Sequence, residues 1–292
     1  MSVETGLAPS PGRQDLRRRL VTAIVLGPLF LLAVVVGRFV FLGAIMLLVG
    51  LAAWEFFRMA NRKSARPRTT PGIGLALAFP ALLYWSPSDP LALLALLTGG
   101  VIGIALVQLL DPAGDEALAS VSTTVYGAAY AGLLLGHFVL IREVPRAVSG
   151  MPYVAGAALV VVAVFLTWVN DSAAYVIGHR WGRRKLIPRV SPGKTVEGAV
   201  GALLVTIAAG VPTLMIVDRW VPLFGPADGL AVGALVGIAA PLGDLVESAF
   251  KRDAGVKDAS DLIPGHGGIL DRFDSLMFVA PAFWYYLHLA VL

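Results

Sequence analysis

The chain has 292 residues, of which 57% are hydrophobic and 14% charged, and its mean hydropathy is +0.79. No water-soluble domain of this length can hide so much apolar surface in one core, so the composition predicts a polytopic membrane protein of the all-α class. The net charge is +4, and without cysteine the chain can build neither a disulfide framework nor a Cys-ligated zinc or iron–sulfur site.

Apolar runs long enough, or nearly so, to cross a hydrocarbon core of about 30 Å occur near 20–37, 39–57, 72–86, 90–110, 119–141, 151–169, 196–217, 229–250 and 273–292. They give about nine transmembrane helices, the third being the shortest. Cytoplasmic loops are enriched in Lys and Arg, and nine spans with a cytoplasmic N-terminus put 19 of the 23 basic residues inside, leaving Arg38, Arg142, Arg146 and Arg219 outside. The C-terminus then lies outside. The basic N-terminus followed by an apolar run has a second reading as a secretory signal, but the run lacks a small-x-small cleavage site and turns through Gly37-Arg38 into another span. No internal repeat or soluble linker is apparent. Residues 1–150 read as a transmembrane scaffold with lipid contact and an oligomer surface, which allows a homodimer; residues 151–292 read as the catalytic region.

Polar chemistry gathers in four clusters. At the end of the sixth span, Asn170 and Asp171 precede Tyr175 and Gly178; Asp171, Tyr175 and Gly178 follow i, i+4, i+7 and so line a cleft, or else Trp168 and Tyr175 form an interfacial belt with Asn170-Asp171 capping the next helix. The next loop ends in Ser191-Pro-Gly-Lys194-Thr195-Val-Glu197-Gly198. A helix starting near Thr195 would aim free N–H groups at an anion beside Lys194, although the spacing is not that of a Walker A loop. Arg183, Arg184 and Lys185 are explained by the inside-positive rule or by anionic lipid heads.

Within the eighth span, Asp244, Glu247, Ser248 and Lys251 fall at i, i+3, i+4, i+7, one polar stripe on an apolar helix. Ionisable groups there need a partner, a cavity or a metal. A structural ion pair with Lys251 accounts for Glu247 but not for Asp244. At the start of the ninth span, Asp271 and Asp274 stand one turn apart, suited to the helix dipole and to a cation. His266, one histidine among glycines, is a poor zinc ligand; it reads as a phosphate or base contact or as loop structure.

The segment from Ser248 to Asp274 reads S-x-x-K-R-x4-K-D, then P-x-H-G-G, then D-R-x-D, through Lys251, Arg252, Lys257, Asp258, Pro264, His266, Gly267, Gly268, Asp271 and Arg272. Its bases and Gly-Gly amides can receive phosphate oxygens, and its aspartates can hold the cation a polyphosphate brings. At these positions the chain closely resembles the phosphatidate cytidylyltransferase (CDP-diacylglycerol synthase) family, and the segment with Asn170, Asp171, Lys194 and Thr195 is similar to that family's second polar region.

The resemblance implies a nucleotidyltransferase of phospholipid biosynthesis that makes CDP-diacylglycerol and pyrophosphate from CTP and phosphatidate, at the cytosolic face of the inner membrane. Asp244, Ser248, Lys251, Asp271 and Asp274 are the expected catalytic residues, with Asp244 and Asp271 as ligands of Mg2+ or another divalent cation, and a second cation admitted. Asn170, Asp171, Lys194, Thr195, Arg252, Lys257, Asp258, His266, Gly267, Gly268 and Arg272 are the expected substrate contacts. Membrane lipids are expected partners and nucleic acid is not. The rival readings are another CTP-using membrane lipid enzyme, of the CDP-archaeol synthase or polyprenol kinase type, and an ion-coupled transporter, against which stand the missing inverted repeats.

Overall fold

A computed structural model describes residues 27–63, 65–87, 89–110, 116–219, 221–263 and 267–292. The start of the first expected span, Arg13 and Arg17 to Arg19, and Pro264, Gly265 and His266 of the last polar loop lie outside the described residues. Among those described, the chain is helical almost throughout: α1 (Gly27–Val36), α2 (Arg38–Asn61), α3 (Thr69–Trp85), α4 (Pro90–Leu109), α5 (Ala117–Ala128), α6 (Leu134–Ala147), α7 (Val154–Trp181), α8 (Val196–Val217), α9 (Pro226–Asp253) and α10 (Leu270–Tyr286). A π turn, Ala129–Leu133, fuses α5 and α6 into one span. The chain is an all-α polytopic membrane protein.

Each expected span has a helix at its place. Among the described residues, however, only six are long and apolar enough to cross by themselves: α2, α4, α5 with α6, α7, α8 and α9. Length is the reason for the difference. Both α3 and α10 have 17 residues, about 25 Å of rise against a core of about 30 Å, and α10 gains a further π turn at Leu287–Val291.

Only Gly37 separates α1 from α2, and its φ of +69° is one that a residue with a Cβ adopts at a cost. The chain folds sharply there. Phe30 and Phe41 have ring centroids 6.3 Å apart, although eleven residues of straight helix would rise about 16 Å. The bend is locked by Arg142, fully buried, whose guanidinium donates to the carbonyls of Val34 (2.6 Å), Val35 (3.1 Å) and Tyr153 (3.1 Å). Two of those bonds use carbonyls at the end of α1 that no further helical turn could satisfy, and the third ties them to the residue before α7. Arg142 is thus a structural tie rather than a loop charge.

The C-terminal helices pack in sequence order, α7 on α8, α8 on α9 and α9 on α10, and α10 also meets α6 and α2. Lipid offers no hydrophobic drive for such contacts, so close backbone approach through small residues has to supply it. Along α9, Gly229, Gly233 and Gly237 recur every four residues and face α8. A Cβ on Gly233 would lie 2.6 Å from both Ile207 Cα and Thr206 O, and one on Gly237 would lie 2.7 Å from Leu203 Cδ1.

A two-stranded antiparallel hairpin, β1 (Lys185–Ile187) and β2 (Ser191–Thr195), joins α7 to α8. Its register pairs Lys185 with Thr195 and Ile187 with Ser191. The loop expected to end at a helix near Thr195 is therefore extended up to that residue, where α8 begins.

Replacing Gly233 by Ile should force α8 and α9 apart. A loss of about 2 kcal/mol or more is expected from overpacking against backbone, read as a lower thermal midpoint in detergent; an unchanged midpoint would contradict the described seam.

Candidate active site

The polar stripe expected on α9 is present, and two of its members are buried. Glu247 is fully buried and Ser248 nearly so, while Asp244 is a third exposed at its side chain. Charge at this position is held by pairing. The Lys251 ammonium lies between Glu247 Oε2 at 2.5 Å and Asp271 Oδ1 at 2.6 Å, so it joins α9 to α10. The i, i+4 ion pair expected of Glu247 thus exists, but in the interior and shared with a second carboxylate. Asp244 pairs in turn with Lys194 of β2 at 2.6 Å and accepts from Ser248 Oγ at 3.2 Å.

Glycine positions these groups. A Cβ on Gly243 would collide with the Asp274 carbonyl oxygen and stand 3.1 Å from Ser275 Cα, so α10 runs against α9 one residue from Asp244. On the other side, a Cβ on Gly198 at the start of α8 would stand 3.0 Å from Gly178 Cα, which draws α7 against α8. Both seams close on one place. Asp171 of α7, Asp244 of α9 and Asp274 of α10 come near enough for their charges to interact, and Lys194 also acts on Asp171.

Asp271 has a second task. Its Oδ2 accepts from the backbone N–H of Ala259 (2.9 Å) and of Gly268 (2.8 Å), so one carboxylate binds both ends of the polar loop while its other oxygen holds Lys251. Gly267 has φ +80° and an antiparallel bridge to Ile263, which narrows the loop where the Gly-Gly pair turns into α10.

Thr195 caps α8, its Oγ1 accepting from Gly198 N at 3.1 Å, and Glu197 accepts from the backbone N–H of Arg183 and Arg184. Arg252 is exposed and donates to the carbonyls of Val190 (3.2 Å) and Val256 (3.3 Å), bracing the hairpin against the loop. Lys257, Asp258 and Arg272 are exposed around the same loop. Asn170 is buried, with Nδ2 donating to Thr206 Oγ1 at 3.0 Å and, among the described residues, Oδ1 without a partner. Tyr175 and Trp168 are largely exposed on α7, as an interfacial belt requires, whereas Gly178 packs inward.

The expected residues Asp171, Lys194, Asp244, Ser248, Lys251, Asp271 and Asp274 therefore converge from α7, β2, α9 and α10. Among the described residues no three His, Asp or Glu side chains stand close enough together to hold a metal ion unaided. One group at this locus has no counterpart in the sequence reading. Glu55 of α2, fully buried, accepts from Ser260 Oγ (2.5 Å), Ile269 N (3.0 Å) and Leu270 N (2.7 Å). The available signal was an acid inside the apolar run Leu51-Ala-Ala-Trp-Glu55-Phe-Phe.

The arrangement brings oxygen ligands and ammonium groups together where two helix seams meet, the chemistry needed to receive phosphates with a hard cation. The chain is 32% identical over 288 residues to the phosphatidate cytidylyltransferase of Bacillus subtilis (strain 168), covering 94% of this chain and 98% of that protein. It is 35% identical over 274 residues to the phosphatidate cytidylyltransferase of Pseudomonas aeruginosa, covering 92% and 95%. It is also 40% identical over 230 residues to the uncharacterized protein YnbB of Escherichia coli (strain K12), covering 73% and 72%. A sequence profile of the cytidylyltransferase family matches residues 17–290, nearly the whole chain, and the chain belongs to that family.

Proposed function

We propose that this protein is a phosphatidate cytidylyltransferase that converts CTP and phosphatidate to CDP-diacylglycerol and pyrophosphate. The observation that carries the reading is the convergence of Asp171, Lys194, Asp244, Lys251, Asp271 and Asp274 in a chain that matches this family from residue 17 to residue 290.

A phosphate oxygen of the lipid attacks the α phosphorus of CTP; the new P–O bond forms as the bond to the β-phosphate bridging oxygen breaks, and pyrophosphate leaves with that electron pair. No general base is required, because a phosphate monoester is already ionised near pH 7. The carboxylate oxygens of Asp244 and Asp271, with Asp171 and Asp274 beside them, suit a hard divalent cation such as Mg2+. Such a cation is commonly held by one or two carboxylates plus substrate phosphates rather than by an all-protein cage. When bound it would offset the repulsion between the two anionic substrates and the charge developing on pyrophosphate. Lys194 and Lys251 are the ammonium groups placed to turn from their carboxylates to phosphate oxygens, and Arg252, Lys257 and Arg272 supply basic donors at the exposed rim.

The site belongs on the cytosolic face of the inner membrane, as the distribution of basic residues supports. In a Lys257→Cys variant of this cysteine-free chain, labelling should proceed from the cytosolic side of the membrane alone. Reaction with an impermeant reagent applied outside intact cells would refute this orientation.

The test of function is direct. Purified protein given labelled CTP, phosphatidate and Mg2+ should form a CDP-lipid and pyrophosphate, and Asp244→Asn should reduce turnover at least about a hundredfold while the protein still purifies. Absence of a CDP-lipid from the wild type would end the assignment.

Lys251 should show two separable effects. Lys251→Met leaves Glu247 and Asp271 without their shared cation, and breaking such a buried pair costs about 3 kcal/mol or more. Adding Glu247→Gln removes one stranded charge and should recover much of the thermal midpoint, but not turnover, because the ammonium at the phosphate is still missing. Recovery of turnover in the double variant would show that Lys251 serves stability alone.

A further inference from the structure

Glu55 lies on α2, far in sequence from the polar clusters, and it is fully buried. An acid at that depth is costly unless it is hydrogen-bonded or paired. Among the described residues it has three donors, and they come from one stretch. Ser260 Oγ and Ile269 N converge on Oε1, and Leu270 N on Oε2.

Ile269 and Leu270 open α10, where the first N–H groups have no intrahelical acceptor, so the carboxylate supplies what the helix lacks and lies at its positive end. The loop is shaped around this group. A Cβ on Gly268 would stand 2.5 Å from both Glu55 carboxylate oxygens, which leaves glycine as the residue that fits.

Glu55 and Asp271 grip the same segment in alternation. Asp271 takes the N–H of Ala259 and Gly268, and Glu55 takes Ser260, Ile269 and Leu270. The other oxygen of Asp271 holds Lys251. Glu55 is therefore linked through Gly268 and the first turn of α10 to the Asp271 carboxylate and to the ammonium paired with it.

We propose that Glu55 is a positioning residue for the cytidylyl transfer: it fixes the start of α10 and the polar loop, and so sets where Asp271 and Lys251 stand toward the phosphates. It touches no reacting atom. The inference rests on the proposed activity for its kinetic consequence, but its geometric part is separate from that activity.

Glu55→Gln keeps size and one acceptor but turns an amide N–H2 toward a backbone donor, so packing is retained while the grip is broken. With CTP and phosphatidate varied separately in mixed micelles, kcat should fall about tenfold or more with each KM within about twofold, the pattern of lost transition-state geometry. Ser260→Ala, which removes one donor, should lower kcat by a smaller factor. The double variant should be no worse than Glu55→Gln alone, since both act on one contact.

A reporter independent of turnover is maleimide labelling of D261C, the exposed neighbour of Ser260. Its rate should rise at least about threefold when Glu55→Gln is added, as local opening becomes easier. A kcat within twofold of wild type, a change confined to KM, or an unchanged D261C labelling rate would each overturn the proposal. Should Glu55→Gln fail to purify, Ser260→Ala decides: unchanged kcat and unchanged labelling would reject the role. A wild type that makes no CDP-lipid would instead sink the assigned reaction, and faster D261C labelling on breaking the Glu55 contact would still support the tie.

Discussion

The Lys251 ammonium, set between Glu247 and Asp271, is the interaction from which the rest of the site follows. Deep in an apolar bundle a charge persists only if its desolvation is repaid by partners at close range, and here one cation answers two carboxylates from two helices. Such a triad adds little net stability over a well-packed apolar replacement, but it is intolerant of losing one member. It therefore fixes the rotation of α9 against α10. Asp271 is held in place to bind the polar loop through Ala259 and Gly268, and the stripe on α9 faces the seam rather than lipid.

A charge cluster can form there only because the helices come close enough. Gly243 allows α10 to lie against α9 beside Asp244, Gly198 and Gly178 allow α7 to lie against α8, and Gly229, Gly233 and Gly237 seat α9 on α8. Each contact removes a side chain to gain backbone proximity, the exchange that holds helices together where lipid is as apolar as leucine. The same exchange determines electrostatics: carboxylates on three helices reach one another across seams that larger residues would have widened. The glycines of the helices are thus as much part of the site as its acids.

What could be read from sequence divides along the same physical line. The positions of the helices follow from runs of apolar residues, and the face of α9 follows from 3.6-residue periodicity, because both are local properties of the chain. The partners of those residues are not local. Nothing in the order of residues says that Lys194 meets Asp244, that Lys251 reaches across twenty positions to Asp271, or that Arg142 ties off α1 instead of facing a loop. The hairpin of Lys185–Ile187 with Ser191–Thr195 was hidden by its Pro-Gly content, which reads as loop. Glu55 was hidden by its surroundings, since one acid in an apolar span is outweighed by its neighbours in any average of hydropathy. The family signature marked the residues of the loop and one of the groups that hold it, Asp271, but the other, Glu55, lies outside it.

The charge balance at the seam gives the proposed cation a physical reason. Among the described residues, five carboxyl groups, from Asp171, Asp244, Glu247, Asp271 and Asp274, gather around two ammonium groups, those of Lys194 and Lys251. A surplus of acid is the wrong environment for a nucleoside triphosphate and a lipid phosphate, which would be repelled by several kcal/mol at short range in a medium less polar than water. The surplus would become an asset if, as proposed, a divalent cation arrives with the nucleotide. The carboxylates would then hold the proposed cation, and the lysines they release would be free to meet phosphate oxygens. On this reading the lysine–carboxylate pairs serve as a resting arrangement: each ammonium keeps an acid neutralised in the apolar bundle until substrate and cation exchange places with it. The grip of Glu55 and Asp271 on the intervening loop would matter for the same reason, because the proposed exchange would require the carboxylates to stay in place while the ammonium groups move.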